Sequence, residues 1–599
     1  MAVLGWAIIA PVSFMTDMFP FRWRGGLWLF AAISFVYLLS LSRERPWGDA
    51  TPLWEVADSM ANKDTIAIKT RWPGTLPLGR GGKVYGVAPV LQAAVHIPGA
   101  LLQSLVQKHY PRQAQLAWRF TCHLAPTFLG ALTCVLFFGL CRRLGARPTS
   151  AALTTIALGL GSTLWVYSRY TYSEVLQTAC FTGFFAQLLE TRGNPSRRNG
   201  ALLGMWAGLL VNSKYSYFVS AAGGAIYLVV ALRGRWRVLL ETAMAAMVAA
   251  LPFAAVILLY NYARWGNIFT VGYGAAGYDL SSPVGIRENI AFGLWGMFLS
   301  PGKSVFLYSP PLLAGLIGLP RAIRRWPQFL PAALLTVGPS VLVYARLVFW
   351  SGDYAWGPRY LVFAVPIMLL PACLLIDDLL AATRSRKRLL AAGALGTLLL
   401  AGGFVQFLGN AFYWDHFIRI QREAARAWLG APNAKGSMVG DTPWVCGACF
   451  EDMYSMQWLP PFQPIVAHYW MLPHVLHEDK WVAAEKDAPW HRYTSMQLNI
   501  AASWNRARLD WWFVEFRPSN PQISWTLIFL LPSLGLLCFG LFLREVWWAA
   551  RSSRARARLA PLPCSPTQEP ESAERFDGPS ETAQLRAARG ARSENTRRI

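Results

Sequence analysis

Apolar blocks close to twenty residues long recur along almost the whole chain, and nothing else in the sequence constrains the fold as tightly. A helix of about 20 residues crosses a hydrocarbon core about 30 Å thick, and it satisfies its own backbone polar groups where no water is available. The blocks lie near residues 26–42, 116–140, 149–167, 174–190, 200–213, 216–232, 238–262, 305–320, 328–348, 359–376, 389–410 and 523–545. They predict an all-α polytopic membrane protein with about twelve transmembrane helices. Composition agrees: 54% of the 599 residues are hydrophobic and only 15% are Asp, Glu, Lys or Arg, against roughly 25% in a soluble domain. A soluble enzyme, a disordered chain and a disulfide-built secreted module are excluded.

Charge gives the orientation. Of the net +24, from 56 Lys and Arg against 32 Asp and Glu, much is the excess that holds loops in the cytoplasm, so nucleic acid is not an expected partner. With Arg22 and Arg24 inside, the first span leads outward. Each loop then expected inside carries arginine: Arg142, Arg143 and Arg147, Arg197 and Arg198, then Arg233, Arg235 and Arg237. The series continues with Arg321, Arg324 and Arg325, the run from Arg384 to Arg388, and finally Arg544 and Arg551. Residues 1–25 read as a cytoplasmic or interfacial lead-in and 26–410 as the transmembrane core, with a first outer loop at 43–113. Residues 411–522 read as an extracytoplasmic domain, 523–545 as the last transmembrane helix, and 546–599 as a disordered cytoplasmic tail. The expected setting is the inner (plasma) membrane, crossed many times.

The first outer loop breaks this charge pattern. It carries Arg43, Arg45, Lys63, Lys69, Arg71, Arg80, Lys83, Lys108 and Arg112, and more cations stand at the outer ends of other spans: Arg169, Lys214, Arg264, Lys303 and Arg359. Ionisable groups held near lipid are costly and are functional candidates by default. Gathered on one face, they suit an anionic ligand such as a phosphate headgroup; singly, they snorkel to lipid. Acids on that face are fewer: Asp49, then Glu55 and Asp58 in a short amphipathic surface helix over Leu53–Asn62, Glu174 beside Tyr172, and Asp353. A carboxylate against an apolar wall suits a general base. The structural alternatives are helix capping by Asp49 and a favourable helix-dipole position for Glu174.

These residues carry a resemblance. Gly48-Asp49, the surface helix, a basic stretch, then Lys83-Val84-Tyr85-Gly86-Val87-Ala88-Pro89 and an apolar helix ending near Gln107 resemble the first outer loop of C-type (GT-C) glycosyltransferases. That superfamily includes protein O-mannosyltransferases and the aminoarabinose transferases of lipid A. The run from Gly208 to Lys214, Asn261 to Asn267, Gly272-Tyr273-Gly274, Ser300 to Pro311 and Trp356 to Tyr360 resemble a bacterial branch of the same kind, so that the likeness covers about residues 25–410. It implies a multi-span enzyme that takes a sugar from a polyprenyl-phosphate carrier on the outer face and passes it, with inversion, to an envelope acceptor. Asp49 would be the general base with Glu174 as a second catalytic acid. Lys83, Tyr85, Arg359, Lys303, Arg71 and Lys214 would hold the donor phosphate, and Glu55, Asp58, Tyr172 and Asp353 would line the substrate site. The sequence departs from the family where Ala50 follows Asp49 and where Ala88-Pro89 replaces a Pro-Pro pair. Neither a cofactor nor a metal is assigned.

Other patterns are weaker. Cys446-Gly-Ala-Cys449 reads as a disulfide or idle thiols, or, with His468, His474 and His477, as a zinc site. The aromatic run from Trp504 to Phe516 reads as packing or interfacial anchoring. No Gly-x-x-x-x-Gly-Lys loop occurs, so ATP-driven work is not expected. Two rival classes share the spans and charges: a transporter or flippase of lipid-linked sugars, and a non-catalytic envelope assembly protein.

Overall fold

The computed structural model describes residues 23–46, 48–69, 76–272, 288–352, 355–383, 385–412, 456–460, 463–476, 509–514 and 521–559. Arg71, Asp353, Cys446, Cys449 and His477 lie outside them, as do most of the lead-in and most of the segment 411–522. The helices and the site belong to the compact unit Met1–Ala550; a second unit, Arg551–Ile599, begins within the last helix.

Each of the twelve apolar blocks carries a helix. In chain order the first are α1 (Trp23–Leu39), α2 (Ala50–Asn62), α3 (Val90–Ala94), α4 (Ile97–His109), α5 (Ala114–Thr121), α6 (Leu124–Arg143) and α7 (Pro148–Gly161). There follow α8 (Leu164–Ser168), α9 (Glu174–Gly193), α10 (Arg197–Ser213), α11 (Phe218–Ala231), α12 (Trp236–Trp265), α13 (Ile290–Leu299), α14 (Val305–Tyr308), α15 (Leu312–Arg325) and α16 (Phe329–Ala345). A 3-10 turn over Arg359–Ala364 leads into α17 (Val365–Leu369) and α18 (Ala372–Ala381); α19 (Arg386–Ala411), α20 (Pro464–Leu476) and α21 (Pro521–Leu559) complete the order. Among the described residues, five helices are long and apolar enough to cross a membrane: Ala117–Arg143, Trp236–Trp265, Arg359–Ala381, Arg386–Ala411 and Ser524–Ser552. The protein is membrane-embedded, and shorter apolar helices run over Arg24–Leu39, Tyr215–Ala231, Ile290–Leu299 and Phe329–Ala345.

Burial divides the long helices into two kinds. α6 is apolar on every side and sits inside the bundle against α1, α7 and α9. α12 is equally apolar, yet only 6% of its central apolar stretch is buried; outside the strip that packs on α10, a helix of that composition faces lipid. Hydroxyls inside the bundle turn back on their own helices: Thr133, Thr154, Thr155, Thr178 and Thr182 each donate to the carbonyl four residues earlier at 2.7–2.8 Å. This removes buried unpaired donors where water is scarce.

Two boundaries differ from expectation. The surface helix starts at Ala50, not Leu53, because Gly48 takes a left-handed turn (φ 57°) and Thr51 Oγ1 donates to the Pro46 carbonyl at 2.9 Å. The last helix does not stop near 545 but runs to Leu559. Its extension is rich in Ala and Arg, both strong helix formers, with cations at the favourable C-terminal end.

The first outer loop is folded rather than loose. α2 lies on α4, and β1 (Ala67–Ile68) pairs antiparallel with β2 (Val84–Tyr85), Ala67 opposite Tyr85. Arg264, fully buried at the end of α12, donates from Nη1 to the carbonyls of Gly86 at 2.6 Å and Ala88 at 3.2 Å. The segment Lys83–Pro89 is thereby fixed to the transmembrane bundle.

Candidate active site

Three chain segments bring three charged side chains together. Asp49 comes from the turn before α2, Glu174 from the first residue of α9, and Arg359 from the start of the 3-10 turn after Trp356-Gly357-Pro358. Arg359 Nη1 lies 3.1 Å from Asp49 Oδ2, and its Nε lies 3.8 Å from Glu174 Oε1. Asp49 occupies the N-cap position of α2, but its side chain makes no capping hydrogen bond; it turns to the guanidinium instead. Glu174 is buried at the N-terminal end of α9, within reach of Arg359. The Asp49 side chain is 64% exposed. Its ion pair therefore adds little to stability, while the carboxylate stays open to an incoming molecule.

Glycines make room for this arrangement. Gly352 (φ 77°) lies against the Arg359 side chain, and a Cβ there would come within 2.4 Å of Arg359 Cγ. Gly357 (φ 68°) packs on the Tyr308 ring, which a Cβ would meet at 2.7 Å. The guanidinium is 5.2 Å from the Tyr360 ring. Across that ring stands Lys214, its Nζ 4.6 Å from Tyr360 and 4.8 Å from Tyr344; the two tyrosines stack at 5.0 Å. Tyr172 packs beside Tyr170 at 5.1 Å and Tyr167 at 5.4 Å. Burial, followed by its tyrosine neighbours, pushes the Tyr172 phenol well above its usual value, so it stays protonated and able to donate.

A scan against protein-family models finds no match, and a search of curated proteins finds none either. The chain is similar to ArnT from Cupriavidus metallidurans. One crystal structure of that protein, bound to undecaprenyl phosphate, has 16% identity and a TM-score of 0.40, with 87% of this chain and 76% of that chain covered. The apo structure has the same identity and TM-score, with 92% and 77% covered. A likeness of this size decides no residue's role.

Several expected residues lie apart from the three-charge cluster. Tyr85 is buried edge-on to Trp265, with its hydroxyl donating to the Arg80 carbonyl at 3.2 Å. Lys303 is fully buried and donates to the carbonyls of Ala355 and Gly357; it holds the loop that delivers Arg359. Asp58 pairs with Lys63 and accepts from Asn62 at the exposed end of α2. Glu55 is half-buried on the same helix, and Lys83 stands exposed ahead of β2. No cluster of three or more metal-ligating side chains occurs among the described residues. His468 Nδ1 donates to the Leu408 carbonyl, 2.9 Å away, and the ring stacks on Trp356.

One structural support of this arrangement has little signal in the sequence. Asp510, within the segment 411–522, forms a buried ion pair with Arg169. It also accepts from Ser42 Oγ at 2.8 Å and from the Arg43 backbone N–H at 3.2 Å. Arg169 Nη1 donates in addition to the Asn410 carbonyl at 2.7 Å. Asp510 thus fastens together the two stretches that lead to Asp49 and to Glu174. The only sequence signal was an acid set within an aromatic run, beside Trp511 and Trp512.

Proposed function

We propose that the protein is a glycosyltransferase that moves a sugar from a polyprenyl-phosphate donor to an envelope acceptor on the outer face of the inner membrane, with inversion. The acceptor hydroxyl oxygen attacks the anomeric carbon. Its proton passes to the Asp49 carboxylate, and the bond from the anomeric carbon to the phosphate oxygen breaks with its electron pair on the polyprenyl phosphate. Arg359 meets the charge that develops on the leaving phosphate, with Lys214 behind it and Lys83 on the rim. Glu174 holds the guanidinium in place, and Tyr172 offers a protonated hydroxyl to the sugar. The apolar helix faces take the isoprenoid tail.

The observation that carries this reading is one guanidinium shared by an exposed carboxylate, Asp49, and a buried one, Glu174. An arriving phosphate competes with Asp49 for Arg359, which frees the exposed carboxylate to accept a proton. A transporter needs charge along a path open to both faces; here the three groups gather at the ends of α9 and of the turn before α2. The test is to supply the purified protein, in detergent or vesicles, with polyprenyl-phosphate-linked sugars and envelope acceptors, and to score polyprenyl phosphate released together with glycosylated acceptor. Both products should appear. Donor binding with no turnover across a panel of sugars and acceptors would contradict the proposal.

A further inference from the structure

An open groove of about 750 Å³, lined by none of the three clustered charges, runs between α10 and α12 and has two unlike ends. Its floor and walls are Ala201, Leu240, Met244, Ala245 and Val248; Arg197, Arg198 and Glu241 stand at one end. The groove follows from how the two helices meet. Gly200 and Gly204 let the α12 backbone come so close that an added Cβ would lie 2.2 Å from the Thr242 carbonyl oxygen and 2.0 Å from that of Ala246. The flanking Ala201, Ala245 and Ala249 are too short to fill the space beside this contact, while Leu240, Met244 and Val248 stand 54–61% exposed along it.

We infer that this groove binds an anionic glycerophospholipid, its phosphate at Arg197 and Arg198 and one acyl chain along the α12 wall. The dimensions fit. From Leu240 to Ala249 the helix rises roughly 13 Å, most of the roughly 15 Å depth of one leaflet's hydrocarbon. The charge fits as well. Glu241 lies 3.2 Å from Arg197 Nε and holds that side chain over the groove. The two arginines leave the mouth positive against this one carboxylate, and the exposed Arg237 stands one turn earlier on α12. Exposed Trp236 marks the interfacial level at the same end. A zwitterionic lipid fills the apolar part equally well but gains less at the arginines, so the site discriminates by headgroup charge.

The inference does not depend on any catalytic activity and is tested without one. Thermal unfolding of the detergent-purified full chain is followed during titration with dioleoyl-phosphatidylglycerol, dioleoyl-phosphatidylcholine or inorganic phosphate. Phosphatidylglycerol should raise the unfolding midpoint in a saturable way, with much weaker responses to phosphatidylcholine and to phosphate alone. The double variant Arg197→Gln/Arg198→Gln should bind phosphatidylglycerol about 30-fold more weakly, from about 1 kcal/mol for each cation near an anionic headgroup. Ala245→Phe, which fills the groove and keeps both arginines, should lose the response as well and serves if the first variant does not fold. Equal responses to the two lipids, a response reproduced by inorganic phosphate, or wild-type affinity in either variant would overturn the inference.

Discussion

Arg359 Nη1 lies 3.1 Å from Asp49 Oδ2, joining the turn before the surface helix to the turn that follows the ninth long apolar block. The same guanidinium reaches Glu174 through Nε. A lysine carries the charge but not the fork that lets one side chain address both carboxylates. Arg359→Lys should therefore reduce transfer by about 10²–10³, the usual cost of removing one donor to developing charge. The checks are the rate of polyprenyl phosphate release and the apparent affinity for donor, measured separately. A variant with wild-type rates would remove Arg359 from the site.

The buried Arg169–Asp510 pair makes a separate stability prediction. Both side chains are almost fully enclosed, and removing one partner leaves an uncompensated buried group. Asp510→Asn should destabilise the protein by about 3–5 kcal/mol, read as a lower unfolding midpoint in detergent. The paired change Arg169→Met with Asp510→Leu should cost less than Asp510→Asn alone, because no charge is then stranded. Additive losses would contradict the pairing.

How much of this was legible beforehand varied with the length scale of the interaction. The apolar blocks and the arginines between them are local patterns, and every block became a helix. Asp49, Glu174 and Arg359 were legible as candidates because polar groups near lipid are rare. Their meeting was implied only by the family resemblance, since it depends on how distant turns pack. The fates of the other cations were also hidden. Arg264 and Lys303 read as anion binders, yet they point at backbone carbonyls of irregular segments, at Gly86 and Ala88 and at Ala355 and Gly357. A sequence does not print which carbonyls a loop leaves without partners, and buried cations supply those partners here. Asp510 was missed for the same reason: its partners Ser42 and Arg169 are brought to it only by the fold.

His96, between α3 and α4 in the first outer loop, gives the protein a pH dependence. Burial lowers its pKa from 6.5 to about 4, opposed in part by a hydrogen bond to the Cys122 carbonyl. The neutral ring packs edge-on to Trp54. Because the folded pKa lies below the unfolded one, the unfolded chain binds the proton more readily. The contribution is fully present above about pH 6.5 and is lost as pH falls toward 4, by on the order of 3 kcal/mol. Unfolding midpoints of wild type and His96→Gln, taken from pH 7.5 to 4.5, check this: the wild type should lose more stability over that window than the variant. Parallel curves would show that His96 is not the titrating group.

The proton acceptor is the centre of the account, and one rate tests it most directly. Asp49→Asn keeps the side chain's size and its place beside Arg359 but cannot take the acceptor's proton. With saturating donor and acceptor, polyprenyl phosphate release by Asp49→Asn should fall by about 10²–10⁴ while donor lipid still binds. Release at the wild-type rate would contradict the assignment of Asp49 as the base.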